Sequence, residues 1–98
     1  MNSDVLTRKE MQESYIDTSA YQYNLDPGTF KATLELKAEG HHDILRLFFA
    51  FEDGRKIIAP VYGWQGHLGF YEIPIGSKLK LLYTKSSAGT FLTGVSIE

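Results

Sequence analysis

Residues 29–38 alternate between apolar and polar side chains without a break, and this run constrains the fold more than any other part of the chain. A period of two is typical of a half-buried strand, with the apolar side chains facing a core. The strand is predicted to begin near Gly28, after the turn-forming pair Asp26-Pro27. The apolar face would carry Phe30, Ala32, Leu34, Leu36 and Ala38, and the solvent face Lys31, Thr33, Glu35 and Lys37.

Residues 44–52, which follow a polar turn, are apolar on both sides of an extended backbone. One side would carry Leu45, Leu47, Phe49 and Phe51, and the other Ile44, Phe48 and Ala50. Because only a strand covered on both faces gains from such a composition, this strand is predicted to be central in its sheet.

The dipeptide Asp53-Gly54 follows this strand and is the strongest turn signal in the chain. Between two β runs it favours a two-residue hairpin turn, whose central residues both need a positive φ. The turn length also sets the register of the hairpin. The predicted pairs are Glu52 with Arg55, Phe49 with Ile58, and Ala50 with Ile57.

Further strands are predicted over residues 55–62, 70–75, 78–84 and 90–97, the last two joined by a four-residue loop at 86–89. Pro60 cannot donate to a ladder, so its strand is predicted to be an edge or to carry a bulge. Five to six short strands predict an all-β fold, a small antiparallel barrel or sandwich. The predicted core residues are Leu45, Leu47, Phe49, Phe51, Ile58, Leu79, Leu81, Phe91 and Val95.

Residues 1–24 differ from the rest and are predicted to be an N-terminal arm or short helix beside a single β domain at 25–98. Ser3 is a candidate cap for a helix over residues 4–14. An irregular apolar stripe weakens the helix signal, so an additional strand or an arm across the sheet is the alternative. The side chains available for it are Tyr15, Ile16, Tyr21, Tyr23 and Leu25.

Composition excludes several classes of protein. With 98 residues and no cysteine, the chain offers one domain without disulfides, thiolate metal sites or cysteine nucleophiles. Its apolar runs are too short for a membrane span, and residues 1–9 lack a signal-peptide core, which predicts a soluble cytoplasmic protein without membrane contact. No catalytic or cofactor-binding motif is present, so neither an enzyme nor a cofactor is expected.

The most unusual stretch is the aromatic loop, residues 62–71, which contains the only tryptophan. Aromatic faces on a glycine-rich loop can stack on a ligand, while amide and imidazole groups supply hydrogen bonds. The candidate ligand-binding residues are Tyr62, Trp64, Gln65, His67 and Tyr71. The favoured alternative is structural: Trp64 and Phe70 plug the open end of a small barrel.

A second cluster, His41, His42 and Asp43, together with His67, contains side chains that bind zinc or nickel. Adjacent side chains of an extended backbone point in opposite directions, so His41 and His42 would converge on one ion only in a strained turn. A polar turn explains the cluster better than a metal site or a small enzyme.

The leading functional hypothesis is a non-enzymatic module that binds a protein partner or another copy of itself, through the edge at Pro60 or the N-terminal tyrosines. The alternative is an oligonucleotide or oligosaccharide binder that uses the aromatic loop for stacking. The net charge of −2 disfavours nucleic acid, although a local groove of Arg46, Lys78 and Lys80 would keep that option open.

Overall fold

The computed structural model describes residues 4–14, 16–23 and 26–98, and there the fold is mostly antiparallel β-sheet with one short α-helix. The strands are β1 (Val5–Leu6), β2 (Gly28–Glu39), β3 (Ile44–Phe51), β4 (Lys56–Tyr62), β5 (Lys78–Ser86) and β6 (Gly89–Ile97). The helix is α1 (Arg8–Glu13), and 3-10 segments lie at Thr18–Ala20 and Gly63–Glu72. The predicted all-β fold is thereby confirmed.

All six strands belong to one sheet in the order β4-β3-β2-β5-β6, and β1 adds to β2 in parallel. The long strand β2 makes this possible, because its first half pairs with β5 and its second half with β3. The sheet curves until β4 and β6 come within 8 Å between Cα atoms, but these strands do not pair. The sheet is therefore not closed into a barrel, and β3 is central as predicted.

The inner face of the sheet carries the main core, which Phe70 and Ile73 of the connection after β4 complete. Of the predicted core residues, Phe91 is only half-buried, because its neighbour Leu92 takes the inward position on β6. Val95 packs against the inner cluster but is also only half-buried. The remaining predicted core residues are buried. The inner cluster consists of Ala32, Leu34, Leu45, Leu47, Phe49, Phe51, Ile57, Ala59, Val61, Phe70, Ile73, Leu79, Leu81, Tyr83 and Leu92.

A β-bulge at Glu35 corrects the prediction for β2. Leu34 pairs with Phe49 and Leu36 with the adjacent Phe48, so Glu35 is an extra residue in the ladder. Beyond the bulge the faces exchange: Ala38 packs on the outer face, and Lys37, predicted to be in solvent, is fully buried. The ammonium of Lys37 lies 3.4 Å from a carboxylate oxygen of Asp4.

The hairpin between β3 and β4 is one residue longer in its loop than predicted. The amide of Gly54 donates to the carbonyl of Phe51, and Gly54 has a φ of 94°. This is a three-residue loop with a left-handed glycine, and it shifts the register by one residue. Phe49 consequently pairs with Ile57. Ile58 is buried as predicted, but on the outer face.

The outer face carries a smaller cluster of Ala38, Phe48 and Ile58, which the N-terminal segment covers with Leu6, Met11 and Tyr21. The helix in this segment begins at a different cap from the one predicted. Thr7 caps α1 and forms a capping box with Glu10. The candidates Ser3, Tyr15 and Leu25 lie outside the described residues.

The Tyr21 side chain secures the N-terminal segment to the outer face. Its ring meets Phe48 edge-on at 5.1 Å, and its hydroxyl donates to Glu35 at 3.1 Å. Burial, reinforced by the Glu35 carboxylate, raises the pKa of this phenol. The bulged residue therefore also anchors the segment that covers the sheet.

β4 ends the strand order on one side, which agrees with Pro60 as an edge residue. Part of that edge is covered, because Gln22 exchanges two backbone hydrogen bonds with Lys56 and Ile58. The predicted strand over residues 70–75 is wrong, since that stretch ends a 3-10 segment and turns through Pro74 and Gly76. In the described part of the chain, no helix is both long and apolar enough to span a bilayer.

Candidate functional site

The aromatic loop has an unusual backbone. It coils as a 3-10 segment, Gly63–Glu72, but four successive residues in its middle adopt left-handed conformations. Two of them, His67 and Leu68, are not glycine and both have a φ of 50°. Left-handed backbone costs about 1 kcal/mol or more per such residue, so surrounding contacts must hold the loop in this shape.

The loop separates the two side chains that are predicted to fill the core together. Phe70 is fully buried and its ring meets Phe49 edge-on at 5.8 Å, whereas Trp64 is 83% exposed. Phe70 therefore enters the core, although there is no closed barrel for it to plug, and the prediction that Trp64 does the same is wrong. The reversal of helical hand between these two residues turns the chain and aims their side chains in different directions.

Among the residues that the structure describes, Trp64 has one aromatic neighbour, Tyr62. The ring centroids are 6.2 Å apart and the planes are inclined by 18°, an offset stack. Tyr62 ends β4 and is itself half-buried, so it supports one side of the indole. The rest of the indole faces solvent.

Gln65 is one of the predicted ligand-binding residues, but both ends of its side-chain carboxamide form hydrogen bonds with the backbone. Its Oε1 accepts from the amide of Tyr62 at 3.2 Å, and its Nε2 donates to the carbonyl of Leu92 at 3.5 Å. These bonds fix the start of the loop to β4 and to the neighbouring edge strand β6. Both ends of the carboxamide are thus already paired.

His67 ties the loop to the turn between β2 and β3. Its Nε2 lies 2.9 Å from the backbone oxygen of Asp43 and 3.5 Å from that residue's carboxylate. Tyr71 packs edge-on against the imidazole at 5.0 Å. Gly63 completes this clasp, because a Cβ there would overlap the Asp43 carboxylate.

The clasp was not visible in the sequence, because its two halves lie 24 residues apart. Asp43 and its neighbour His42 also have left-handed backbone, with φ of 62° and 54°. Asparagine, aspartate and histidine tolerate this conformation best after glycine, and that is the one local signal available. It predicts a turn and no particular partner.

The metal hypothesis gains no support from the part of the chain that the structure describes, where no three His, Asp or Glu side chains gather closely enough to hold an ion. The rings of His41 and His42 lie 6.2 Å apart. His67 is brought to Asp43 but not to a third acidic or imidazole ligand.

The five candidate residues thus form two groups along the loop. Tyr62, Trp64 and Gln65 occupy its first turn, and His67 and Tyr71 its second. Tyr71 is 39% exposed, which leaves Trp64 as by far the most accessible ring of the loop.

The structure does not bring together the three residues of the basic groove considered for nucleic acid. Arg46 lies on β3 and donates to the carbonyl of Glu39, whereas Lys78 starts β5, two strands away. Lys78 borders a recess that it shares with Glu52 and Glu98. Lys78 therefore lies among both acidic and basic side chains, and Arg46 bonds to a backbone carbonyl.

A second concave feature lies on the outer face and was not foreseen. This outer groove has a volume of about 580 Å³ and runs between α1 and the exposed ends of β3 and β4. Sequence reasoning missed it because its walls come from segments that meet only after the N-terminal residues fold back over the sheet. Its lining is formed by Arg8, Met11, Gln12, Ile16, Thr18, Tyr23, Glu39, Gly40, His41, Ile44, Arg46, Ile58 and Pro60.

Comparison with known proteins provides no family for this chain. No protein-family model, no curated protein and no solved structure matches it.

Proposed function

We propose that this protein is a non-enzymatic interaction module whose aromatic loop binds a protein partner, with Trp64 as the anchor. The single observation that carries the proposal is the 83% exposure of Trp64. A tryptophan left in water gives up a large burial free energy, and tryptophan is among the residues most enriched at interface hot spots.

The rigidity of the loop supports the same proposal. Gln65 bonds the first turn to two strands, and the His67–Asp43 clasp bonds the second. A side chain held in place before binding loses less conformational entropy when a partner covers it. The strained backbone of the loop is consistent with a shape maintained for binding.

The polar groups of the loop favour a protein over a sugar or a base. The amide of Gln65 and the imidazole of His67 are the directional groups expected to read a polar ligand, and both are already hydrogen bonded within the protein. What remains for a partner is mainly the apolar indole. An indole with few free polar neighbours suits an apolar pocket on another protein.

Self-association remains part of the proposal, with the aromatic loop as its main route. The β4 edge is less suited to strand addition than an open edge, because Gln22 covers part of it and Pro60 lacks a donor. Tyr23, 60% exposed, represents the rival route through the N-terminal tyrosines.

The test compares three single variants with the wild-type protein. Light scattering at several concentrations measures self-association, and affinity capture from the native organism measures binding to other proteins. We expect Trp64→Ala to abolish the association that is found, while Tyr23→Ala and Ile97→Ala leave it intact. Ile97 is the matched control, since it is 64% exposed on β6 and outside the loop.

The intrinsic fluorescence of Trp64 gives an independent measurement, because no other tryptophan is present. In the free protein the emission of Trp64 should be red-shifted and readily quenched by iodide. Partner binding should shift the emission to shorter wavelengths. Association that survives Trp64→Ala but is lost in Tyr23→Ala would replace the loop with the N-terminal route.

An oligosaccharide or oligonucleotide binder is the second candidate, favoured by the near-parallel stack of Tyr62 and Trp64. Two stacked rings with one exposed face resemble the platforms on which bases and sugars lie. Trp64-dependent binding of a glycan or a single-stranded oligonucleotide, with no protein partner retained, would favour this candidate over the first.

A further inference from the structure

The outer groove is built differently from the aromatic loop. Its floor is apolar, with Ile58 fully buried and Ile44 and Pro60 half-buried. Met11 of α1 and Ile16 form the opposite wall, where both are half-buried. A volume of about 580 Å³ falls within the usual range for small-molecule sites.

Charged side chains surround this apolar floor unevenly. Arg8 enters from the first turn of α1, is exposed, and has no ion-pair or hydrogen-bond partner among the described residues. Arg46 enters from β3 and is half-buried. Among the described lining residues, Glu39 is the one carboxylate and His41 the one imidazole. Two guanidinium groups against one carboxylate give the groove a net positive charge.

The orientation of Arg46 leaves part of its guanidinium available. Its Nε and Nη2 both donate to the backbone carbonyl of Glu39, at 3.3 and 3.1 Å. That bond holds the planar group in place at the groove, and its remaining N–H groups have no partner among the described residues. A fixed guanidinium is suited to paired hydrogen bonds with a carboxylate.

We propose that the outer groove is a binding site for a small organic carboxylate with an apolar body. The apolar body would lie on Ile44 and Pro60, with Ile58 buried beneath them, and the carboxylate would meet Arg8 and Arg46. Charge complementarity selects an anion, and the apolar floor selects against a small hydrated anion such as phosphate. This site is separate from the aromatic loop and does not depend on Trp64.

The test measures binding of 2-naphthoate to the full chain by the fluorescence anisotropy of this probe. Binding of its uncharged analogue, 2-naphthylmethanol, is measured by ligand-observed NMR. We expect the naphthoate to bind more tightly than the alcohol, and its affinity to fall as salt is added. Arg46→Gln removes the charge that would pair with the carboxylate, so it should weaken naphthoate binding about 10-fold or more.

Two further variants are expected to change the affinity for naphthoate in opposite directions. Arg8→Gln should weaken naphthoate binding without affecting the fold, because this exposed side chain has no described partner. Glu39→Gln should strengthen binding, because it removes the one opposing carboxylate of the groove. Arg55→Gln is the matched control, since Arg55 pairs with Asp53 at the hairpin and does not line the groove.

Equal affinity for naphthoate and the alcohol would overturn the proposal, because the charge would then have no role. So would an unchanged affinity in both Arg8→Gln and Arg46→Gln, or the same loss in Arg55→Gln. Absence of naphthoate binding to the wild-type protein at low salt would also overturn it.

Discussion

The inner face of the sheet is covered by the sheet's own curvature and by Phe70 and Ile73, whereas the outer face is covered by the N-terminal segment. The inner cluster draws on five strands that are hydrogen bonded to each other. The outer cluster has three buried residues, with α1 and Tyr21 resting on them. The comparison indicates that the inner face carries most of the stability, while the outer face leaves space for a groove.

Phe49→Ala, on the inner face, is expected to have the largest effect on stability. Phe49 is fully buried on β3 and contacts the ring of Phe70, which seals one end of the inner cluster. The cavity should lower the free energy of unfolding by about 3–5 kcal/mol, nearly the whole stability of a domain of this size. Urea unfolding measures it, and an unchanged midpoint would mean that the inner face is not the main core.

Phe48→Ala, at the adjacent position, tests the outer face. Phe48 is equally buried, but its cover is a short helix and Tyr21, which can settle into the vacated space. The expected loss is therefore smaller, about 2–3 kcal/mol. Hydrogen exchange should show faster exchange in α1 than in β5. A loss larger than that of Phe49→Ala would reverse the ranking of the two faces.

Tyr83→Phe is expected to have the smallest effect on stability, and it should stabilise the protein. Tyr83 is 4% exposed in the inner cluster, and its hydroxyl is buried without a hydrogen-bond partner among the described residues. Removing an unpaired buried hydroxyl should raise the free energy of unfolding by about 1 kcal/mol. The matched control is Tyr21→Phe, which loses the bond to Glu35 and should lower it. Destabilisation by Tyr83→Phe would show that the hydroxyl has a partner.

The same residue gives stability a pH dependence. Burial raises the pKa of the Tyr83 phenol above its ordinary value. In the unfolded chain this phenol ionises near pH ~10, whereas in the folded protein it stays protonated. The folded state then binds more protons, so stability falls as pH rises above about 10. Denaturant midpoints measured from pH 8 to 11 should fall less steeply for Tyr83→Phe than for the wild-type protein.

Much of the inner face could be predicted from residue pattern alone. Alternation placed Leu45, Leu47 and Phe49 on one face of β3, and the apolar character of both faces identified this strand as central. Such predictions succeed because side-chain direction in a regular strand depends only on local backbone geometry.

The pattern failed wherever one extra residue entered the ladder. The bulge at Glu35 and the third residue of the hairpin loop each shift the register by one, which moves Ala38 and Ile58 to the outer face and Lys37 to the inside. Whether a strand accepts an extra residue depends on the competition between the pairings on its two sides. Those partners lie elsewhere in the chain, so the strand's own sequence does not encode the answer.

The candidate site divides in the same way. The sequence by itself determined that the aromatic loop is unusual, that it turns through glycines, and that a large aromatic side chain within it is available for the core. Only the tertiary structure decided that Phe70 enters the core and Trp64 faces solvent, because that choice depends on the His67–Asp43 clasp and on the space left beside Phe49. The outer groove likewise exists only once the N-terminal segment has folded back over the outer face of the sheet.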